Sequence, residues 1–117
     1  MYTISKQFSF EASHQLHQMP ENHKCKRLHC HSYRVELVLK SPVLDNNGFV
    51  IDYGDLKPFK DYIDTTLDHR HLNDIIEVPT AENIAKHLYG VAWKLWHEVS
   101  ITVRASETSN TWAEYSK

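Results

Sequence analysis

His29-Cys30-His31-Ser32-Tyr33-Arg34-Val35-Glu36-Leu37-Val38-Leu39-Lys40 decides the architecture. Its odd positions Tyr33, Val35, Leu37 and Leu39 are apolar, with Arg34, Glu36 and Lys40 between them. Alternation with period two marks a strand that buries one face. The same parity reaches back to His29 and His31, so two imidazoles open the strand on its apolar side. Upstream, Tyr2 to His14 alternates likewise. Ile4, Phe8, Phe10 and Ala12 share one parity, and Thr3, Ser5, Gln7, Ser9 and Glu11 the other. His14 closes that segment in phase with Phe10 and Ala12.

Downstream, Asp45-Asn46-Asn47-Gly48 supplies a turn, because Asn and Gly tolerate positive φ. Leu56, Phe59, Ile63 and Leu67 then fall at helical spacing on one face. Pro58 fits such a helix only in its first turn, which predicts a start near Tyr53 or Gly54. Residues 68–79 read as a polar loop ending at Pro79. Thr80 is a natural N-cap for a second helix, and Glu82 suits its positive end. Ile84, Ala85, Leu88, Val91, Ala92, Leu95 and Trp96 give that helix a wide apolar stripe. Strand alternation returns at Val99, Ile101, Val103 and Ala105, and Trp112 to Tyr115 reads as a last edge strand. The order β-β-α-α-β-β predicts an α+β fold: a four-stranded antiparallel sheet with two helices on one face. Open edges on so small a sheet favour assembly with further copies.

The chain has 117 residues, 41% hydrophobic and 24% charged, which predicts one domain over 1–117. Thirteen Lys and Arg against 15 Asp and Glu leave a formal charge of −2, against a general basic nucleic-acid surface. The longest apolar runs are short, so neither a membrane span nor a secretory leader is expected. Two cysteines without an export signal point to the reducing cytoplasm. Nine histidines are the unusual feature.

Residues i and i+2 of a strand lie on one side, roughly 7 Å apart, so His29 and His31 can converge on one ion while Cys30 points away. If the first two strands are neighbours, His14 arrives at the same end of the same face. Three protein ligands with an open fourth position are the pattern of a catalytic zinc. Two hydrogen-bonded histidines at a strand end would give the same H-x-H. His17, His23, His87 and His97 show no such pattern and read as surface or capping residues. Cys25 lies in a loop with Lys24, Lys26 and Arg27, whose cations favour a thiolate able to act as base or nucleophile. An ordinary exposed thiol fits the same loop. Asp68 beside His69 suggests an oriented acid–base pair, although adjacent residues seldom meet productively and the spacing alone reads as loop. Glu107 continues the inward parity of Val103 and Ala105, and a buried carboxylate there needs a ligand's N–H edge or an internal cation.

Phe10-Glu11-Ala12-Ser13-His14, Cys25-Lys26-Arg27-Leu28-His29-Cys30-His31-Ser32-Tyr33, Ile51-Asp52-Tyr53, Leu67-Asp68-His69, Leu72-Asn73, Pro79-Thr80-Ala81-Glu82-Asn83 and Glu107-Thr108 together resemble the 6-pyruvoyltetrahydropterin synthase family. Within it, they resemble most the bacterial 6-carboxytetrahydropterin synthase branch of queuosine biosynthesis. The resemblance runs over essentially the whole chain. It implies the tunnelling fold (T-fold), with three subunits closing a barrel and two rings stacking as a homohexamer, and with pockets at subunit interfaces. It implies Zn²⁺ on His14, His29 and His31, Cys25 as general base, and His69 oriented by Asp68 as proton relay, with both serving a neighbour's Cys25. Glu107 would anchor the pterin. The implied substrate is 7,8-dihydroneopterin triphosphate, cleaved to 6-carboxy-5,6,7,8-tetrahydropterin, acetaldehyde and triphosphate. The pyruvoyl enzymes of the family stop after triphosphate elimination and internal rearrangement, and a non-catalytic assembly protein with a structural metal is a third reading. Lys24, Lys26 and Arg27 are triphosphate candidates by charge alone. One residue departs from the family pattern: Cys30 stands where Gly is usual, and its side chain is expected to lie against a neighbouring element.

Overall fold

Two 13-residue strands frame the molecule. β1 (Tyr2–His14) and β2 (His29–Ser41) pair antiparallel along their full length, with Phe10 opposite Tyr33 and His14 opposite His29. The computed structural model describes all 117 residues. The inward parity is buried as the alternation requires: Phe8, Phe10, Ala12, Tyr33, Val35, Leu37 and Leu39 all lie in the core. Between the strands and the first helix, Gly48 adopts φ 86° while the Asp45 carboxylate accepts from the Asn47 and Phe49 amides.

The first helical segment opens at Tyr53 as a 3₁₀ turn (Tyr53–Leu56), where the Asp52 carboxylate accepts from the Gly54 amide at 2.9 Å. It continues as α1 (Lys57–Tyr62), with Pro58 in the first turn, where its missing N–H costs nothing. It ends as a wider π turn (Ile63–Leu67). Leu56, Phe59, Ile63 and Leu67 are all at most 1% exposed, so the change of winding keeps the apolar face on the sheet. Phe59 sits edge-on to Phe8, with ring centroids 5.2 Å apart. α2 (Ala81–Leu95) starts where Thr80 Oγ1 accepts from the Asn83 amide. It buries Ile84, Ala85, Leu88 and Ala92, but Leu95 is left exposed, which narrows the expected stripe. Helices therefore cover one face only. The other stays polar, with Ser32 donating to Glu11 at 2.7 Å and Arg104 paired to Glu36 at 3.0 Å. No helix is long and apolar enough to cross a membrane.

The fold class is the expected α+β arrangement, with one correction to the four strands. Besides β4 (Ser100–Ser106) and β5 (Ala113–Ser116), residues 70–71 form a short β3 (Arg70–His71) that runs parallel to the end of β1. The order is β3-β1-β2-β4-β5. Two residues are too few to show a period, and their composition reads as loop. The His69 amide donates to Glu11 O, and the Asn73 side chain exchanges two hydrogen bonds with the Gln15 backbone. These bonds extend the ladder past β3 and tie down the end of β1, where His14 stands.

Candidate metal centre and its surroundings

His14, His29 and His31 converge at the end of the β1–β2 pair, with one ring nitrogen of each within 4.8 Å of the others. The backbone decides which nitrogens face inward. His14 Nδ1 lies 2.8 Å from the carbonyl oxygen of Pro79, and His29 Nδ1 lies 2.7 Å from that of Arg27. A carbonyl oxygen only accepts, so both protons belong on Nδ1 and both Nε2 atoms carry bare lone pairs. Those two Nε2 atoms face each other at 2.8 Å. His31 Nε2 is buried with no hydrogen-bond partner, and Glu107 Oε2 lies 3.4 Å from it. Facing lone pairs and an orphaned buried nitrogen are unfavourable until a cation draws them together. Tetrahedral zinc would set such nitrogens about 3.3 Å apart. The donor set fits a borderline divalent ion that takes imidazole and keeps a fourth position open.

Burial, more than any other influence, holds the His14 imidazole below its ordinary value of 6.5, against opposing contributions from the Pro79 carbonyl and Glu107. His31 is lowered in the same way, with Glu107 again opposing. Both rings therefore favour the neutral form that a metal ligand needs. Outside the cluster, His87 is half-buried with Nε2 2.5 Å from the Tyr62 hydroxyl, and burial lowers it too. This is a role the sequence did not suggest. The unfolded chain takes up these protons near 6.5 while the fold resists them. Stability from all three groups is thus full above that value and is lost as pH falls through the depressed values. Metal-free protein is expected to melt at progressively lower temperature on acidification from about pH 7.5 to about pH 5. A flat melting profile over that range would contradict the burial argument.

Cys25 belongs to a single 3₁₀ turn (Lys24–Lys26) between the two imidazole-bearing strand ends. His23 caps it, its Nδ1 accepting from the Cys25 amide at 3.1 Å, and the Cys25 carbonyl accepts from the Leu16 amide at 2.9 Å. Cys25 is thereby pinned two residues beyond His14, and it is half-buried. Lys26 is paired with Glu21 at 2.7 Å, which leaves Lys24 and Arg27 without an ion pair in that loop. Cys30 stands opposite Ser13 and points away from the imidazoles, as its parity requires. It is exposed rather than covered by a neighbouring element of the chain, so the extra thiol meets no crowding there.

Asp68 and His69 do meet, contrary to the expectation for adjacent residues. His69 takes φ 58°, the left-handed conformation, and this swings Nδ1 to 2.9 Å from Asp68 Oδ2. The other carboxylate oxygen accepts from the Glu11 amide at 2.9 Å. That amide and the His69 ring hold the Asp68 carboxyl below the ordinary carboxylate range. The His69 ring stays 78% exposed, and no hydrogen bond or ion pair links it to the three imidazoles or to Cys25 of its own chain. Glu107 follows β4 directly. Ala105 and Ser106 are both buried, so the strand's alternation has already broken before Glu107, and an internal histidine is its partner. An open hollow of about 230 Å³ adjoins it, lined by Ala81, Glu82, Glu107, Thr111, Trp112 and Ala113. A larger one, about 610 Å³, lies around Tyr62 and His87 and includes none of the imidazoles of the cluster. Sequence reasoning missed Tyr33, counted there only as an apolar strand residue. Its hydroxyl lies 3.1 Å from His14 Nδ1, and burial pushes its ionisation far above the ordinary tyrosine value. The only signal was that a buried phenol needs a partner.

Comparison with known proteins gives a consistent result. The family model described as 6-pyruvoyl tetrahydropterin synthase matches residues 3–117. The 6-carboxy-5,6,7,8-tetrahydropterin synthase of Synechocystis sp. is 41% identical over 97 residues, 76% of this chain and 73% of that protein. The dihydroneopterin monophosphate aldolase of Pyrococcus furiosus is 36% identical over 77 residues, 66% of this chain and 62% of that protein. Among solved structures, 6-pyruvoyl tetrahydropterin synthase of Caenorhabditis elegans superposes with a TM-score of 0.85 at 25% identity, covering 99% of this chain and 95% of that one. A match that omits only Met1 and Tyr2, joined to so close a superposition, places the chain in the 6-pyruvoyl tetrahydropterin synthase family.

Proposed function

We propose that this chain is a zinc-dependent lyase of queuosine biosynthesis. It would convert 7,8-dihydroneopterin triphosphate and one water to 6-carboxy-5,6,7,8-tetrahydropterin, acetaldehyde and triphosphate. The observation that carries the reading is the pair of bare Nε2 atoms of His14 and His29 facing each other beside the orphaned Nε2 of His31. These three residues hold the ion. Zinc, when bound there, would polarise the substrate's side-chain hydroxyl oxygens as a Lewis acid and so make the adjacent C–H and O–H protons more acidic. Cys25 takes a side-chain proton as thiolate. Asp68 keeps His69 in one tautomer and orientation, so that Nε2 is free to relay a proton. Glu107 turns from His31 to accept two N–H groups of the pterin edge, a two-point charge-assisted contact.

A homohexamer of two stacked trimers is part of the same reading. Its support is the His69 ring, fixed by Asp68 yet turned to solvent, and an open hollow beside Glu107 that a neighbouring subunit would close. The 1–117 unit would act as a single pterin-synthase domain in the cytoplasm. The test is product identification with zinc-loaded protein. Acetaldehyde and triphosphate in equal amounts are expected. Triphosphate without acetaldehyde would favour the 6-pyruvoyl reaction, a reading the Caenorhabditis relative keeps in play. Dihydroneopterin monophosphate, run in parallel, tests the activity named for the Pyrococcus relative. No product from either substrate would leave the non-catalytic metal-binding reading.

A further inference from the structure

Tyr33 is wholly buried and lies in the apolar stripe of β2, opposite Phe10, whose ring stacks on it at 4.9 Å and 10°. Phenylalanine would fill that space equally well, and a hydroxyl placed there is unfavourable unless it is hydrogen-bonded. Its partner is His14 Nδ1, at 3.1 Å. The Tyr33 ring also stands edge-on to both His14 and His31, with centroids 5.9 and 5.5 Å away. The three imidazoles are thus held unequally. The nitrogen of His14 that faces away from the cluster meets two oxygens, from Pro79 and Tyr33, whereas that of His29 meets only the Arg27 carbonyl, near solvent.

We infer that Tyr33 is a positioning residue for the metal centre: its hydroxyl and the Pro79 carbonyl together lock the His14 ring with Nε2 aimed at the ion. His14 is then the rigid ligand against which the other two adjust. The proposal rests on the reading of the three histidines as a metal site. Outer partners of this kind orient the ligand and fix its tautomer, and removing one weakens metal binding about ten- to a hundredfold.

The decisive comparison is zinc affinity of wild type, Tyr33→Phe and Phe10→Leu by chelator competition, with the visible spectrum of the cobalt-substituted proteins alongside. Tyr33→Phe keeps the stack and loses only the hydroxyl. It is expected to bind zinc about ten- to a hundredfold more weakly and to shift the cobalt bands. Phe10→Leu loosens the packing and keeps the hydroxyl, so it should leave both readouts near wild type. Equal affinities for Tyr33→Phe and wild type overturn the proposal, as does an equal loss in both variants. Should Tyr33→Phe fail to fold, zinc-loaded wild type still decides. Its His14 Nδ1 proton must exchange slowly with solvent and show an Overhauser contact to the Tyr33 ring, and absence of that contact overturns the assignment. A wild type that binds no divalent ion defeats the metal reading itself, a separate outcome.

Discussion

Purified His31→Ala is expected to contain almost no tightly held divalent ion after dialysis against a chelator, while wild type retains close to one per chain. The magnitude follows from the coordination. A four-ligand zinc site is worth roughly 10–16 kcal/mol, so one imidazole contributes about 3 kcal/mol, or about a hundredfold in affinity. His31 is the informative choice because its inward nitrogen has no hydrogen bond to lose. Its ring is also part-exposed, so alanine there removes a donor with little loss of core packing. The metal-free variant should therefore melt close to metal-free wild type. His17 is exposed and outside the cluster, so His17→Ala serves as the control and should keep full occupancy. Full zinc content in His31→Ala would mean that the cluster is a hydrogen-bonded set of histidines and not a metal centre.

That cluster was legible in the sequence because strand parity is a strict rule. A residue that shares the parity of Phe10 or Tyr33 must share its face, and one pairing of neighbouring strands brings His14 beside His29. The helices were legible for the same kind of reason: period, a proline tolerated only in the first turn, and a threonine at the cap. Other features depend on tertiary partners that no period encodes. β3 exists because the backbone near Glu11 offers a free edge, and the Asp68–His69 contact exists because His69 takes a left-handed conformation. Glu107 lies where alternation has ended, so its parity indicated a side and not its partner. Tyr33 was hidden for a different reason. Its ring satisfies the apolar pattern so well that the hydroxyl goes unnoticed until the distance to His14 is measured.

Cys25→Ala, in contrast to His31→Ala, is expected to keep its metal and lose turnover. Both hydrogen bonds that place Cys25, to the His23 side chain and from the Leu16 amide, are made by the backbone of Cys25, so removing the sulfur disturbs neither anchor. Nor does Cys25 belong to the group of three side chains that could hold a metal ion. Loss of a positioned general base lowers rates by about 10²–10⁴-fold, and that is the drop expected in kcat. Cys30→Ala is the matched control, since that thiol is exposed on the opposite side of β2 and should leave turnover unchanged. The same variant also probes the shared site. If His69 of one subunit serves Cys25 of another, mixing inactive Cys25→Ala with inactive His69→Ala after dissociation should restore part of the activity. A site made wholly within one chain would stay dead in the mixture. Metal lost along with the thiol would make Cys25 a ligand, and turnover kept without it would assign the proton transfer to another group.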